Sequence, residues 1–187
     1  MFVAVRPPPE AVDDLDAFLA VRREAGDFRW TVAEQWHLTL AFLADVPERK
    51  VDDLEARLQR AARKRRALPV RFAGGGAFPH PGRAKVLYAG LAMSAPDQVE
   101  LDRLATGAKA AGNKAGAPAD GQRFRPHLTL ARLGYPRDVS NWVRLLDSYA
   151  GPSWLVDEIA LVASYLGEGP RRRPRHQVVS TFALGAA

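Results

Sequence analysis

Residues Arg123 to Leu133 read R-F-R-P-H-L-T-L-A-R-L, and the tetrapeptide His127-Leu128-Thr129-Leu130 within them stands once more at His37-Leu38-Thr39-Leu40. The chain has only 4 histidines, and two of them occupy these identical tetrapeptides. A short run that alternates in polarity reads as a half-buried strand, in which residues two apart share a face. His127 and Thr129 therefore point one way while Leu128 and Leu130 point into a core, and His37 and Thr39 repeat the pattern against Leu38 and Leu40. The expected picture is two strands, each offering an imidazole and a hydroxyl to one shared cleft.

That set of groups suits acid–base chemistry at phosphorus. Histidine exchanges its proton near neutral pH, so one ring is available to protonate a leaving oxygen and the other to deprotonate the attacking group. Attack and departure at phosphorus are in line, which asks for the two groups on opposite sides. The two threonine hydroxyls are placed to donate to the non-bridging oxygens. One such motif alone reads as a structural strand histidine; the repeat, framed by leucines both times, favours a catalytic pair.

Working outward from the motifs, the chain resembles the 2H phosphoesterases, and within them the bacterial RNA 2′,3′-cyclic phosphodiesterases, also called 2′-5′ RNA ligase-like proteins. The likeness rests on W-H-L-T-L-A-F-L at 36–43 and F-R-P-H-L-T-L-A-R-L at 124–133. It extends to Phe2-Val3-Ala4-Val5, Gly76-Ala77-Phe78-Pro79 and Leu166-Gly167. The resemblance implies an α+β, bilobal 2H phosphoesterase fold, with two mainly antiparallel sheets facing a central cleft and helices packed outside. It implies a single domain over 1–187 made of two similar lobes. It implies an enzyme, an RNA 2′,3′-cyclic 3′-phosphodiesterase that yields a 2′-phosphomonoester. His37 is then the proton donor and His127 the proton acceptor, with Thr39 and Thr129 on the phosphate. The family also uses a Phe toward the base and an Arg toward the phosphate five residues after each histidine, here Phe42 and Arg132. Ideal strand parity turns both away from the catalytic face; a bulge or the strand end returns them. Arg125 is a further phosphate candidate. Ala44 departs from the family's usual Gly after F-L. The alternatives are a 2′-5′ RNA ligase, a phosphodiesterase of small cyclic nucleotides, and a non-catalytic RNA-binding module.

The rest of the chain bounds these readings. Its 187 residues suit one domain or two small lobes sharing a core. With 47% hydrophobic and 26% charged residues it is globular rather than disordered. Without cysteine it has neither disulfides nor a thiolate metal site. No Asp or Glu lies within four residues of His127 and only Glu34 lies that close to His37, so no metal and no cofactor is expected. No apolar run approaches a membrane span, and no secretory signal is visible; the expectation is a cytoplasmic monomer acting on RNA with a 2′,3′-cyclic phosphate end, away from membranes. A net charge of +6 fits an anionic partner, although arginine-rich composition alone gives the same number.

The basic run at Arg60, Arg63, Lys64, Arg65 and Arg66 reads as a solvated helix end. Gly74-Gly75-Gly76 lacks the following G-K-[ST] of a phosphate loop and reads as turn or bulge glycines. His80 is expected exposed and non-catalytic. Trp30 and Trp36 flank the first motif, as core aromatics or as stacking platforms. A helix ending at Gly112 is expected before a polar loop over 113–121. The segment Arg171-Arg172-Arg173-Pro174-Arg175-His176 reads as a surface loop, either solvated or gripping RNA phosphates upstream of the reacting end.

Overall fold

The computed structural model describes residues 1–165, 167–168 and 174–185; Arg171, Arg172 and Arg173 of the basic segment lie outside them. Strand β1 (Phe2–Val5) is followed by helix α1 (Pro9–Ala20), opened by Pro9 in its first turn, and by a two-residue strand β2 (Arg29–Trp30). The first motif forms β3 (Leu38–Phe42), and α2 (Val51–Arg63) follows with Leu54, Leu58 and Ala62 inward. Next come β4 (Leu68–Phe78), β5 (Ala84–Ala92) and the long helix α3 (Ala95–Ala115), whose N-cap Ser94 accepts a hydrogen bond from the Asp97 amide. The second motif opens β6 (Leu128–Arg137); α4 (Ser140–Asp147), β7 (Trp154–Val156), β8 (Glu158–Tyr165) and β9 (Arg175–Ala183) complete the order.

Among the described residues the ladders between these strands are antiparallel, in the order β7-β4-β5-β6-β3-β1-β8-β9, with β2 paired to β6. The architecture is α+β, as expected. The two sheets of that expectation are joined: β3 and β6 meet through one pair, Leu38 with Leu128. Beyond it the strands part. Each then pairs with the approach segment of the other motif: Trp30 lies opposite Ala131, and Leu43 bridges to Ala119.

In one half of the sheet β4, β5, β6 and β7 are consecutive in the chain, joined only by β2 from outside that stretch, whereas the other half is assembled from both ends of the sequence. Strands β8 and β9 join the N-terminal pair β1–β3, while helix α1 packs with α4 on β4. Helices α2 and α3 pack on each other and on the other half, through β8, β9 and β3. Leu38, Leu40, Leu128 and Leu130 enter one apolar core with Leu15, Leu54, Leu58, Leu101, Leu104 and Leu146 from the four helices. Burying each such side chain is worth about 1.5–3 kcal/mol, and this fixes which face of the motif strands looks away from the helices.

Of the turn and bulge readings of the glycines, the bulge fits: all three lie within β4, with Gly74 at the register irregularity between Phe72 and Gly75 and with Gly75 and Gly76 paired to Ala89 and Tyr88. One expectation shifts. Helix α3 does not end at Gly112. That glycine is buried against Leu43, and the helix closes at Gly116, which has the left-handed φ of 78° that glycine adopts without strain.

Candidate active site

β3 and β6 run antiparallel and meet at Leu38 and Leu128, so His37 and His127 each stand one residue before that shared pair and Thr39 and Thr129 one residue after it. All four side chains share the face opposite the core and line one cleft of about 960 Å³. An ideal antiparallel register would set two such histidines as diagonal neighbours about 7–8 Å apart at the backbone, room for one phosphorus with hydrogen-bond contacts of about 2.6–3.2 Å on each side.

Each ring is held in the same way. His37 Nδ1 is 2.7 Å from the carbonyl of Gln35, and His127 Nδ1 is 2.7 Å from that of Arg125. A carbonyl oxygen only accepts, so Nδ1 carries the hydrogen, and in the neutral ring Nε2 keeps its lone pair. Phe2 stacks on His37 at 4.6 Å, and His176 meets its edge at 5.4 Å. Phe78 and Tyr88 stand at 5.0 and 5.4 Å from His127. Burial pushes His37 down to about 4 against the bond to Gln35, with the charges of His176, His127 and Arg132 adding to the shift. His127 is lowered by the same cause, again with Arg132 contributing. These shifts favour neutral rings at pH 7.

The strand-parity question about Phe42 and Arg132 resolves through paired bulges. Between β1 and β3, Val3 pairs with Ala41 but Ala4 pairs with Thr39, leaving Leu40 as the extra residue. Between β5 and β6, Leu87 pairs with Ala131 but Tyr88 pairs with Thr129, leaving Leu130 extra. The fourth letter of each motif is thus a β-bulge, and it flips the parity of everything after it. Ala41 and Ala131 turn inward, at 2% and 0% exposure, while Phe42 and Arg132 turn into the cleft. The sequence carries the signal: Leu-Ala follows Thr both times, two apolar residues where strict alternation allows one.

The other candidates separate. Arg125 lines the cleft, with its guanidinium over Phe78 at 5.9 Å. Trp36 is buried; Trp30 packs against Phe28 and Trp142 with part of it at the cleft. His80 is exposed and away from the cleft lining. Arg65 and Arg66 face Glu100 and Asp97 of α3, at 3.6 and 2.8 Å. Of the basic segment, Pro174 and His176 reach the cleft. Sequence reasoning passed over His176 and Gln35 as site residues. Gln35 accepts from His37 through its carbonyl and donates from its side-chain amide to the Pro174 carbonyl at 2.9 Å. No local pattern marks either residue; β9 brings His176 to β3 only through β8 and β1. Among the described residues, no group of three or more His, Asp or Glu side chains is placed to hold a metal ion.

Comparison with known proteins adds to this geometry. A family model described as LigT like Phosphoesterase matches residues 5–88 and 92–171. The RNA 2′,3′-cyclic phosphodiesterase of Aquifex aeolicus is 28% identical over 158 residues, covering 84% of this chain and 82% of that protein. The protein of the same name from Thermus thermophilus is 33% identical over 159 residues, covering 80% and 72%. Among solved structures, E. coli LigT in apo form superposes with a TM-score of 0.75 at 25% identity, covering 98% of this chain and 96% of that one; it has also been solved complexed with 3′-AMP.

Proposed function

The chain belongs to the LigT-like phosphoesterase family, and from that membership we propose that it hydrolyses the terminal 2′,3′-cyclic phosphate of RNA to a 2′-phosphomonoester, without metal, through its two motif histidines. The observation that carries this reading is that His37 and His127 line one cleft, each with Nδ1 bound back to its own chain. The names of the Aquifex and Thermus relatives support the substrate. Residues 1–187 act in this reading as one domain of two similar halves.

In the proposed reaction water attacks phosphorus opposite O3′. His127 Nε2 takes the proton of that water, the P–O3′ bond breaks, and His37 gives the proton on its Nε2 to O3′. The products are a 2′-phosphate and a free 3′-hydroxyl. The roles of the two rings follow the family resemblance. His37 meets its role when the anion is bound, because the negative phosphodiester favours the imidazolium that burial disfavours. Thr39 and Thr129 donate to the non-bridging oxygens, Arg132 and Arg125 offset their charge, and Phe42 takes the base.

The test is product analysis on an oligoribonucleotide with a 2′,3′-cyclic end. The expected product ends in a 2′-phosphate; a 3′-phosphate, or an unchanged substrate, contradicts the proposal.

A further inference from the structure

The described lining of the cleft carries Arg29, Lys109, Arg123, Arg125 and Arg132, against one carboxylate, Asp120, which sits 3.5 Å from Lys109. The four guanidiniums have no carboxylate at ion-pair distance among the described residues. A 2′,3′-cyclic phosphate brings a single negative charge. The cleft therefore holds more positive charge than its reacting group requires.

Two of the four are neighbours by strand register. Strand β2 pairs β6 with Arg29 directly opposite Arg132. Opposed residues of an antiparallel pair project to the same face, with Cβ atoms about 4.5–5.5 Å apart, and like charges there repel. Both side chains are exposed and both line the cleft. The strap that carries Arg29 is pinned where Thr31 N donates to Leu130 O at 2.8 Å, on the bulge residue itself. The bulge that turns Arg132 into the cleft thus also anchors Arg29 beside it. Arg132 is the guanidinium whose charge reaches both histidines, and Arg29 stands one strand further out.

We propose that Arg29, acting beside Arg132, forms a second anion subsite that takes the phosphodiester immediately upstream of the reacting end, so that the cleft favours oligoribonucleotides over mononucleoside cyclic phosphates. This rests on the hydrolase reading for what lies between the histidines. The Arg29 guanidinium suits a phosphodiester because its planar fork donates to two oxygens at once, while Arg132 beside it stays on the reacting phosphate. The anion nearest the scissile group along an RNA chain is the next phosphodiester. Such a contact positions the strand and reads no base.

The experiment compares dissociation constants for three ligands on the full chain. They are a nucleoside 2′-monophosphate, a dinucleotide with the same 2′-phosphate end, and that dinucleotide with an uncharged methylphosphonate linkage. Wild-type protein is expected to bind the charged dinucleotide roughly tenfold more tightly than either other ligand, as a charge-assisted contact implies. In Arg29→Gln the ratio is expected to fall to within about twofold. Equal wild-type affinities, a methylphosphonate that binds as tightly as the phosphodiester, or an Arg29→Gln ratio still near tenfold overturns the subsite. Turnover of a cyclic end is followed alongside. Failure of turnover with the ratio intact refutes the hydrolase reading and leaves the subsite standing; turnover without the ratio refutes the subsite alone.

Discussion

His37 and His127 are each fixed by a single bond to a carbonyl two residues upstream, and the pH behaviour follows from what surrounds them. Burial holds His37 at about 4 and His127 below its ordinary value. If one ring must be protonated and the other neutral, kcat/KM is expected to peak between those values, on the acid side of 6.5, with limbs that belong to the pair. Bound phosphodiester raises both rings, so kcat should peak at higher pH than kcat/KM. Superimposable profiles of kcat and kcat/KM would contradict this. The same depression bears on stability. Between 6.5 and about 4 an unfolded chain carries a proton on His37 that the folded chain does not, so stability is complete above 6.5 and falls as the pH drops toward 4. The melting temperature of wild type should therefore decline more steeply from pH 6.5 to 4.5 than that of His37→Asn; parallel declines would show that the ring is not the cause.

At the scale of elements, the paired bulges decide which side chains face the cleft. Phe42 is 49% exposed on the cleft side. Phe42→Ala is expected to change unfolding free energy by no more than about 0.5 kcal/mol, as for an exposed residue, while raising KM. A loss of about 3–5 kcal/mol would instead mean a core phenylalanine and an unbulged strand. Helix α3 offers a second test. A Cβ at Gly112 would meet Leu43 and stand 2.9 Å from the Ala117 carbonyl oxygen. Gly112→Ala should lower the melting temperature, because overpacking of about 1–3 kcal/mol exceeds the helix propensity gain of about 1 kcal/mol; a rise would show that the packing yields. Strand and helix interiors were legible in the sequence because each has its own apolar period. The two-residue β2 and three-residue β7 were not, since strands so short carry no period. Gly112 misled for a related reason: a glycine required by close packing looks the same in sequence as one that ends a helix.

Across the whole molecule the repeated motif was the most legible feature, and the pairing of its copies the least. Identical tetrapeptides imply similar strands facing a common cleft. Nothing local in either copy says that Leu38 pairs with Leu128, or that each strand is strapped by the segment preceding the other. Those contacts join residues roughly ninety positions apart, and the sequence carries them only through the summed packing of the core. The place of His176 against His37 is hidden for the same reason, although the basic segment that holds it was legible. The proposed catalysis requires the two histidines to act as one unit. The measurement that tests this most directly is turnover of an oligoribonucleotide with a 2′,3′-cyclic end, in excess EDTA, by wild type, His37→Ala, His127→Ala and the double variant. Each single variant should lose about 10²–10⁴-fold, and the double variant should be little worse than the worse single. A single variant near the wild-type rate, or activity that vanishes in EDTA and returns with a divalent cation, would contradict it.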